Sequence, residues 1–329
     1  MTEHEDIVLR AQGLGKDYRL TRERRAGGRP ALNEVDFALT RGQTLGVIGE
    51  SGSGKTTLAR CLALLERPTS GQVWLGGTEL TALGGRELRA QRRRVQTVFQ
   101  DPYSSLNPRL TVSSALREVL QVHGLATGEA AQRRVVELLD LVGLPATATS
   151  RYPADFSGGQ RQRIGIARAL AAEPEVLIAD EAVSALDVSV QAQVLNLFLT
   201  LQQELDLSIV FISHDLHVVE YVADRTMVMF AGRVVEQWEG VIQPTHPYAA
   251  ALAAAAPRLH PEASAPSQAR GAGGSTRAVA AEGCSYRLRC PEAFEPCQSL
   301  DPPLREIAPE HGVRCHARQP CRQPGVARG

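Results

Sequence analysis

Lysine is nearly missing from this 329-residue chain: Lys16 and Lys55 are its only two, and arginine carries almost all of the positive charge. The skew reads as a coding bias toward Arg, Ala and Gly rather than a basic binding face, and it makes Lys55 stand out. Net charge is missing as well. Lys plus Arg and Asp plus Glu both come to 36, so charge gives no reason to expect nucleic acid or an anionic membrane surface as the main partner. The arginine-dense stretch Arg86 to Arg94 does not alter this, because Glu87 interrupts it and no aromatics interleave; a solvated helix face is expected there. No apolar run reaches the roughly 18 to 20 residues of a membrane-spanning helix, and the start, MTEHEDIVLR, has no basic region followed by an apolar signal core. A cytosolic chain is expected. Cysteine is scarce too, with only Cys61 before residue 284; Cys284, Cys290, Cys297, Cys315 and Cys321 follow. A reducing compartment argues against reading these as disulfides. No internal repeat of solenoid type is present.

What is present from Ile7 to about Pro244 is an alternation of short apolar runs with helix-length amphipathic stretches, the pattern of an α/β domain. Thr44 to Ile48, Val95 to Phe99, Val176 to Ala179 and Ile209 to Ile212 are apolar on both faces, which suits a parallel sheet covered on both sides. Pro257 to Gly283 is rich in Ala, Pro, Gly and Ser, has too few large apolar residues to offset the entropy of ordering, and reads as a flexible linker. A small cysteine-bearing tail follows.

Gly49-Glu50-Ser51-Gly52-Ser53-Gly54-Lys55-Thr56 fits G-x-x-x-x-G-K-[ST], follows the strand Thr44 to Ile48 and opens a helix expected over Lys55 to Leu65. The glycines let successive backbone N–H groups turn inward around an anion, and the helix N-terminus adds partial positive charge. Lys55 can reach β- and γ-phosphates, and the Thr56 hydroxyl can ligate Mg²⁺. A plain glycine-rich turn is the bland alternative, but it gives no reason for one of two lysines to fall here. Val176-Leu177-Ile178-Ala179-Asp180-Glu181 is a buried strand ending in two carboxylates, at the edge where open α/β sheets present ligands. Asp180 is suited to hold Mg²⁺ through its water shell, and Glu181 to take a proton from water attacking the γ-phosphate.

Phe156-Ser157-Gly158-Gly159-Gln160-Arg161-Gln162-Arg163 resembles the signature of the ABC ATPases. Ser157 is a good N-cap for a helix expected over Gly158 to Ala172, ahead of Pro174. The resemblance implies a P-loop NTPase of ABC type: a parallel-sheet core, an antiparallel β subdomain and a helical signature subdomain over about 102–165, together spanning 1–245. A helix and flexible linker (246–283) and a cysteine-bearing extension (284–329) follow. ATP and Mg²⁺ are implied as cofactors. Nucleotide contacts are implied for Tyr18, which resembles the aromatic that stacks on adenine, for Gly49, Glu50, Ser51, Gly52, Ser53, Gly54, Lys55, Thr56 and the adjacent Thr57, and for Ser157, Gly158, Gly159 and Gln160, which serve the partner subunit's phosphate. Asp187, in Ser184-Ala185-Leu186-Asp187, resembles the loop linking the two sites across the dimer. Gln100 resembles the glutamine that contacts Mg²⁺ and attacking water, and His214 the histidine that touches the γ-phosphate. Ala182 departs from the family, where proline often follows the catalytic glutamate, and puts the stiffness of that turn in doubt.

Gln100-Asp101-Pro102-Tyr103-Ser104-Ser105-Leu106-Asn107-Pro108-Arg109 and Ser184 to Gln193, with Pro244-Thr245-His246-Pro247-Tyr248 and the tail, look like the ATPases of dipeptide, oligopeptide and nickel importers, specifically the second ATPase of the pair. That likeness implies a peripheral subunit at the cytoplasmic face of the membrane, working with a paralogous ATPase, two transmembrane permeases and an external solute-binding protein. A soluble ABC ATPase acting on ribosomes or DNA is the competing class, and a tail that senses redox state or metal is a third. The tail cysteine spacing fits neither C-x₂-C zinc sites nor ferredoxin runs. Family likeness offers an iron-sulfur cluster on Cys284, Cys290, Cys297 and Cys315, with zinc or buried thiols as alternatives and Cys321 as the spare.

Overall fold

The computed structural model of the chain describes residues 6–18, 29–100, 106–241, 243–255, 279–280 and 282–318. The linker proposed over 257–283 therefore lies mostly outside the described residues, as do Asp101 to Ser105 and Cys321.

Two sheets organise the described chain. The smaller is antiparallel and joins β1 (Ile7–Lys16), β2 (Leu32–Thr40), β4 (Ser70–Leu75) and β5 (Thr78–Glu79) in the order β2-β1-β4-β5. The larger has a parallel centre of β3 (Thr44–Ile48), β6 (Val95–Val98), β7 (Val176–Asp180), β8 (Ser208–Ser213) and β9 (Arg225–Phe230), in the order β9-β3-β8-β7-β6. Alternate residues of one strand feed opposite faces. Leu177, Ala179, Ile209 and Phe211 pack under the helices on one side; Val176, Ile178, Val210 and Ile212 pack toward the small sheet on the other. Two separate apolar cores explain why these strands read as continuous apolar runs rather than as alternating ones.

The helices follow suit. Between β3 and β6 come α1 (Lys55–Leu62) and α2 (Gly85–Arg92). Then α3 (Val112–Val122), α4 (Gly128–Leu141) and α5 (Gly158–Leu170) share a core through Leu116, Leu120, Val135, Leu138 and Ile164. Helix α6 (Val188–Leu205) joins β7 to β8, and α7 (Leu216–Val222) joins β8 to β9. Two predicted helices end early. α1 stops at Leu62 because buried Leu64 turns left-handed (φ 50°) and the chain closes back with Leu65 N–H donating to the Arg60 carbonyl. α5 stops at Leu170 because Glu173 (φ 53°) closes the turn before Pro174. Strand β6 ends at Val98, one residue short of expectation, and Phe99 is exposed.

The C-terminal region departs most from expectation. β10 (Arg233–Glu239) is antiparallel to β9, and after α8 (Pro247–Ala255) and the short α9 (Pro296–Ser299) the tail returns as β11 (Arg305–Ala308) and β12 (His311–Val313). β12 pairs with β10 through Glu236↔Val313 and Gln237↔Gly312, and β11 pairs with β12. The tail, too small for its own core, thus continues the core sheet. Among the described residues no helix is long and apolar enough to cross a membrane.

Candidate nucleotide site

The parallel order of the sheet brings four loops to one edge. The turns after β3, β6, β7 and β8 supply the phosphate loop, Gln100, Glu181 and His214, and together they line a cavity of about 890 Å³. Ser51, Gly52, Gly54, Lys55, Thr56, Thr57 and Glu50 make one wall, and Ala31 and Leu252 complete the lining. Gly54 precedes α1 at φ 108°, and a Cβ there would meet the Ala31 carbonyl at 2.5 Å, so the loop can close onto the helix only with glycine. The loop and the first residues of α1 line the cavity, the setting of an anion cradle at a helix N-terminus.

Lys55 is buried; its Nζ donates to the carbonyls of Gly49 (2.6 Å) and Glu50 (3.1 Å). Burial pulls its pKa down while Glu181, Asp180 and Glu50 push it back up. The Thr56 hydroxyl donates to Asp180 at 3.4 Å. Burial, with Glu181 adding, raises the Asp180 carboxyl above its ordinary range against the opposing pull of Thr56 and Lys55. The exposed Thr56 hydroxyl and the buried Asp180 carboxylate converge beside the phosphate cradle as hard oxygen donors, and the pair fits Mg²⁺. Glu181 stands at a left-handed φ of 49°, with His214 Nδ1 3.6 Å from its Oε2. Its N–H donates to the Ile212 carbonyl (3.0 Å), and Ser184 N–H and Oγ donate to its carbonyl (3.2 and 3.0 Å). The turn is thus pinned at three points, and Ala182 within it is buried.

Other candidates lie apart from this cavity. Ser157 accepts from Gln160 N–H (3.3 Å) and the Gln160 amide accepts from Ser157 N–H (3.1 Å), a capping box opening α5. Gly159 is demanded by packing, since a Cβ would fall 2.2 Å from Val190. Asp187 caps α6 through Val190 N–H (3.0 Å), and those hydrogen bonds hold its carboxyl below the ordinary range. None of Ser157, Gly158, Gly159, Gln160 and Asp187 lines the cavity. Nor does Tyr18, whose hydroxyl donates to Glu66 (2.5 Å) while its ring sits beneath Lys16 Nζ (5.1 Å).

Cys61, Cys284, Cys290, Cys297 and Cys315 carry free thiols. Burial pushes Cys61 up to about 11, and raises Cys284, Cys290 and Cys315, with neighbouring tail thiols adding to the rise. The tail thiols therefore gather, yet among the described residues no three His, Cys, Asp or Glu side chains are disposed to hold a metal ion. The expected iron-sulfur or zinc ligand set on Cys284, Cys290, Cys297 and Cys315 is not assembled among the described residues.

Sequence reasoning missed two contacts to the loop. Tyr248 Oη accepts from Glu50 N–H at 2.8 Å, and Arg289 grips the Glu50 carboxylate. Tyr248 stood out only as part of a segment resembling one branch of the family. Arg289 carried no signal, lying 239 residues from its partner.

The ABC transporter family matches residues 32–184, and the oligopeptide/dipeptide transporter C-terminal region matches residues 241–297. A putative peptide import ATP-binding protein of Brucella ovis is 45% identical over 314 residues, 94% of this chain and 98% of its own. The oligopeptide transport ATP-binding protein AppF of Bacillus subtilis is 44% identical over 300 residues (89% and 91%). The di/tripeptide transport ATP-binding protein DppF of Pseudomonas aeruginosa is 45% identical over 317 (94% and 98%). Among solved structures, a dimeric ATP-binding cassette in a post-hydrolysis state with ADP and Pi is 29% identical with a TM-score of 0.63, covering 70% of this chain and 98% of that one. On identity sustained across nearly the whole length, and with phosphate loop, acidic strand and capped glycine helix all in place, the chain belongs to the ATP-hydrolysing subunits of ABC transporters, in the branch bearing the oligopeptide/dipeptide transporter C-terminal region.

Proposed function

We propose that this subunit energises import of di- or oligopeptides, hydrolysing ATP at a site completed by a second ATPase chain. The observation that carries the reading is a separation. Lys55, Thr56, Asp180, Glu181, Gln100 and His214 gather at one sheet edge, while the capped glycine helix from Ser157 to Gln160 stands outside that cavity. Half a site at each of two places is what a head-to-tail pair of ATPases needs.

In this reading the loop amides and Lys55 hold the phosphates. Thr56 and Asp180, with Gln100, hold Mg²⁺, which when bound neutralises charge on the β- and γ-phosphates. Glu181 takes the proton of the attacking water as the bond from the γ-phosphorus to the bridging oxygen breaks. His214, beside Glu181, contacts the γ-phosphate. Tyr18, whose hydroxyl also meets Thr57 at the start of α1, stacks on adenine. Ser157, Gly158, Gly159, Gln160 and Asp187 serve the partner's nucleotide. A paralogous ATPase is the proposed partner, and the unit boundaries are those read from sequence.

A second cleft, of about 380 Å³, opens between β6 and the helices, lined in part by Phe99, Val119, Val122 and Gln162. Phe99 in its lining is followed in the chain by Gln100 of the nucleotide cavity, which supports the cleft as the seat for a permease and the subunit as peripheral at the cytoplasmic face of the membrane. The gathered thiols of Cys284, Cys290, Cys297 and Cys315 support a metal centre formed on loading; iron, sulfide and zinc analysis after anaerobic purification decides it.

The function is tested by isolating the chain from membranes and reconstituting the complex in liposomes. Copurification with hydrophobic permeases, and ATPase activity stimulated several-fold by a peptide-loaded solute-binding protein, are expected. Stimulation by nickel and not by peptide, or isolation with ribosomes or DNA, overturns the proposal.

A further inference from the structure

Glu50 is the only carboxylate within the phosphate loop, and it lines the nucleotide cavity. Left alone, it opposes the approach of a polyanion. It is not left alone. Arg289, from the C-terminal tail, pairs with it in a two-pronged bridge, Nη1 to Oε2 at 2.8 Å and Nη2 to Oε1 at 2.6 Å. The guanidinium is itself seated against rings, 5.3 Å from the centroid of Tyr286 and 5.6 Å from that of Phe230. Tyr286 packs in turn on Phe230 (5.2 Å) and Tyr248 (5.4 Å), and the Tyr248 hydroxyl receives the Glu50 N–H. Both the backbone and the side chain of Glu50 are thus held by residues that follow the core.

We infer that Arg289 is a positioning residue for the phosphate loop: it neutralises Glu50 and holds its carboxylate off the phosphates, so that the docked tail sets affinity for ATP. Arg289 does not itself line the cavity, and so it acts through Glu50. The inference rests on reading Gly49 to Thr56 as the cradle for ATP. It gives the tail a task at the nucleotide that needs no bound metal.

The test is calorimetric titration of the full chain with MgATP. Arg289→Ala is expected to raise Kd about tenfold, as an unpaired carboxylate faces the phosphates across a partly wet gap. Arg289→Lys, which keeps charge and loses the fork, gives a smaller rise. The decisive arm is the same Arg289→Ala change in a Glu50→Gln chain, where the carboxylate is already gone: there Kd moves by less than about twofold. An unchanged Kd in Arg289→Ala overturns the inference. So does an equal loss in the Glu50→Gln background, which would mean that the change merely disturbs tail packing. Failure of the unaltered chain to bind MgATP, or undiminished binding by Lys55→Ala, overturns the site assignment and the inference with it.

Discussion

Glu181 occupies a backbone conformation that residues with a side chain rarely adopt, and it does so at the end of a strand buried at every position. Such a position persists only when its surroundings over-determine it, here through Ile212 and Ser184. Substitution by glutamine preserves the shape and every backbone bond while removing the proton acceptor. Glu181→Gln is therefore expected to bind ATP normally and to lose hydrolysis by about 100-fold or more, read as phosphate release from the assembled complex. Turnover within a few-fold of the unaltered complex would remove Glu181 as the base. At this scale the sequence was most legible where chemistry is local: Gly49 to Thr56 and Asp180-Glu181 are contiguous, and their meaning lies in their order. It was least legible where partners come from afar. Nothing around Arg289 or Tyr248 announces a hold on Glu50, because that contact exists only after the tail has docked.

Strands were legible as elements because two apolar cores leave both of their faces dry. Helix ends were not, since Leu64 and Glu173 reverse the chain without the glycine or asparagine that would have marked them. The segment into α8 contains a second hidden constraint. His246 is buried, and its Nδ1 accepts from Tyr248 N–H at 3.1 Å, so the folded ring stays neutral. Burial, assisted by Arg318, lowers its pKa from 6.5 to about 4. The unfolded chain takes up a proton below 6.5 that the folded chain refuses until about 4. His246 therefore contributes its full stability above 6.5 and loses it as pH falls toward 4, with an upper bound of about 3 kcal/mol. Denaturant midpoints measured from pH 7 down to 4.5 should fall, and His246→Gln should flatten part of that slope. Parallel slopes for the two chains would exclude the ring as the titrating group.

For the molecule as a whole, the sheet is finished by residues that sequence reading assigned to a cysteine-bearing extension beyond the core. Glu236 on β10 is fully buried and bridges to His311 Nε2 on β12 at 2.8 Å, while also receiving N–H groups from Thr245 (2.8 Å) and His246 (3.0 Å). The Arg233–Asp301 bridge and the bond from Arg314 Nε to the Val234 carbonyl (3.0 Å) fasten the same edge. Deleting residues 279–329 strips His311 from the buried Glu236 carboxylate, removes the Asp301 and Arg314 fastenings and bares the β10 edge. A loss of about 3 to 5 kcal/mol in stability is expected, together with self-association, read as a lower urea midpoint and greater light scattering. A truncated chain as stable and as monodisperse as the full one would make the tail an ornament on the sheet rather than part of it.

The pairing of Glu236 with His311 also sets a schedule. The two residues are 75 positions apart, so at ordinary rates of synthesis the ribosome delivers the closing strand roughly 4 to 15 s after the strand it must cover. During that interval the phosphate loop, the acidic strand and the signature helix already exist, but Glu50 lacks Arg289 and the sheet lacks its border. A newborn subunit is thus exposed to chaperones and proteases while its nucleotide site is still incomplete; Arg289 arrives first to complete the hold on the phosphate loop, and His311 follows to border the sheet.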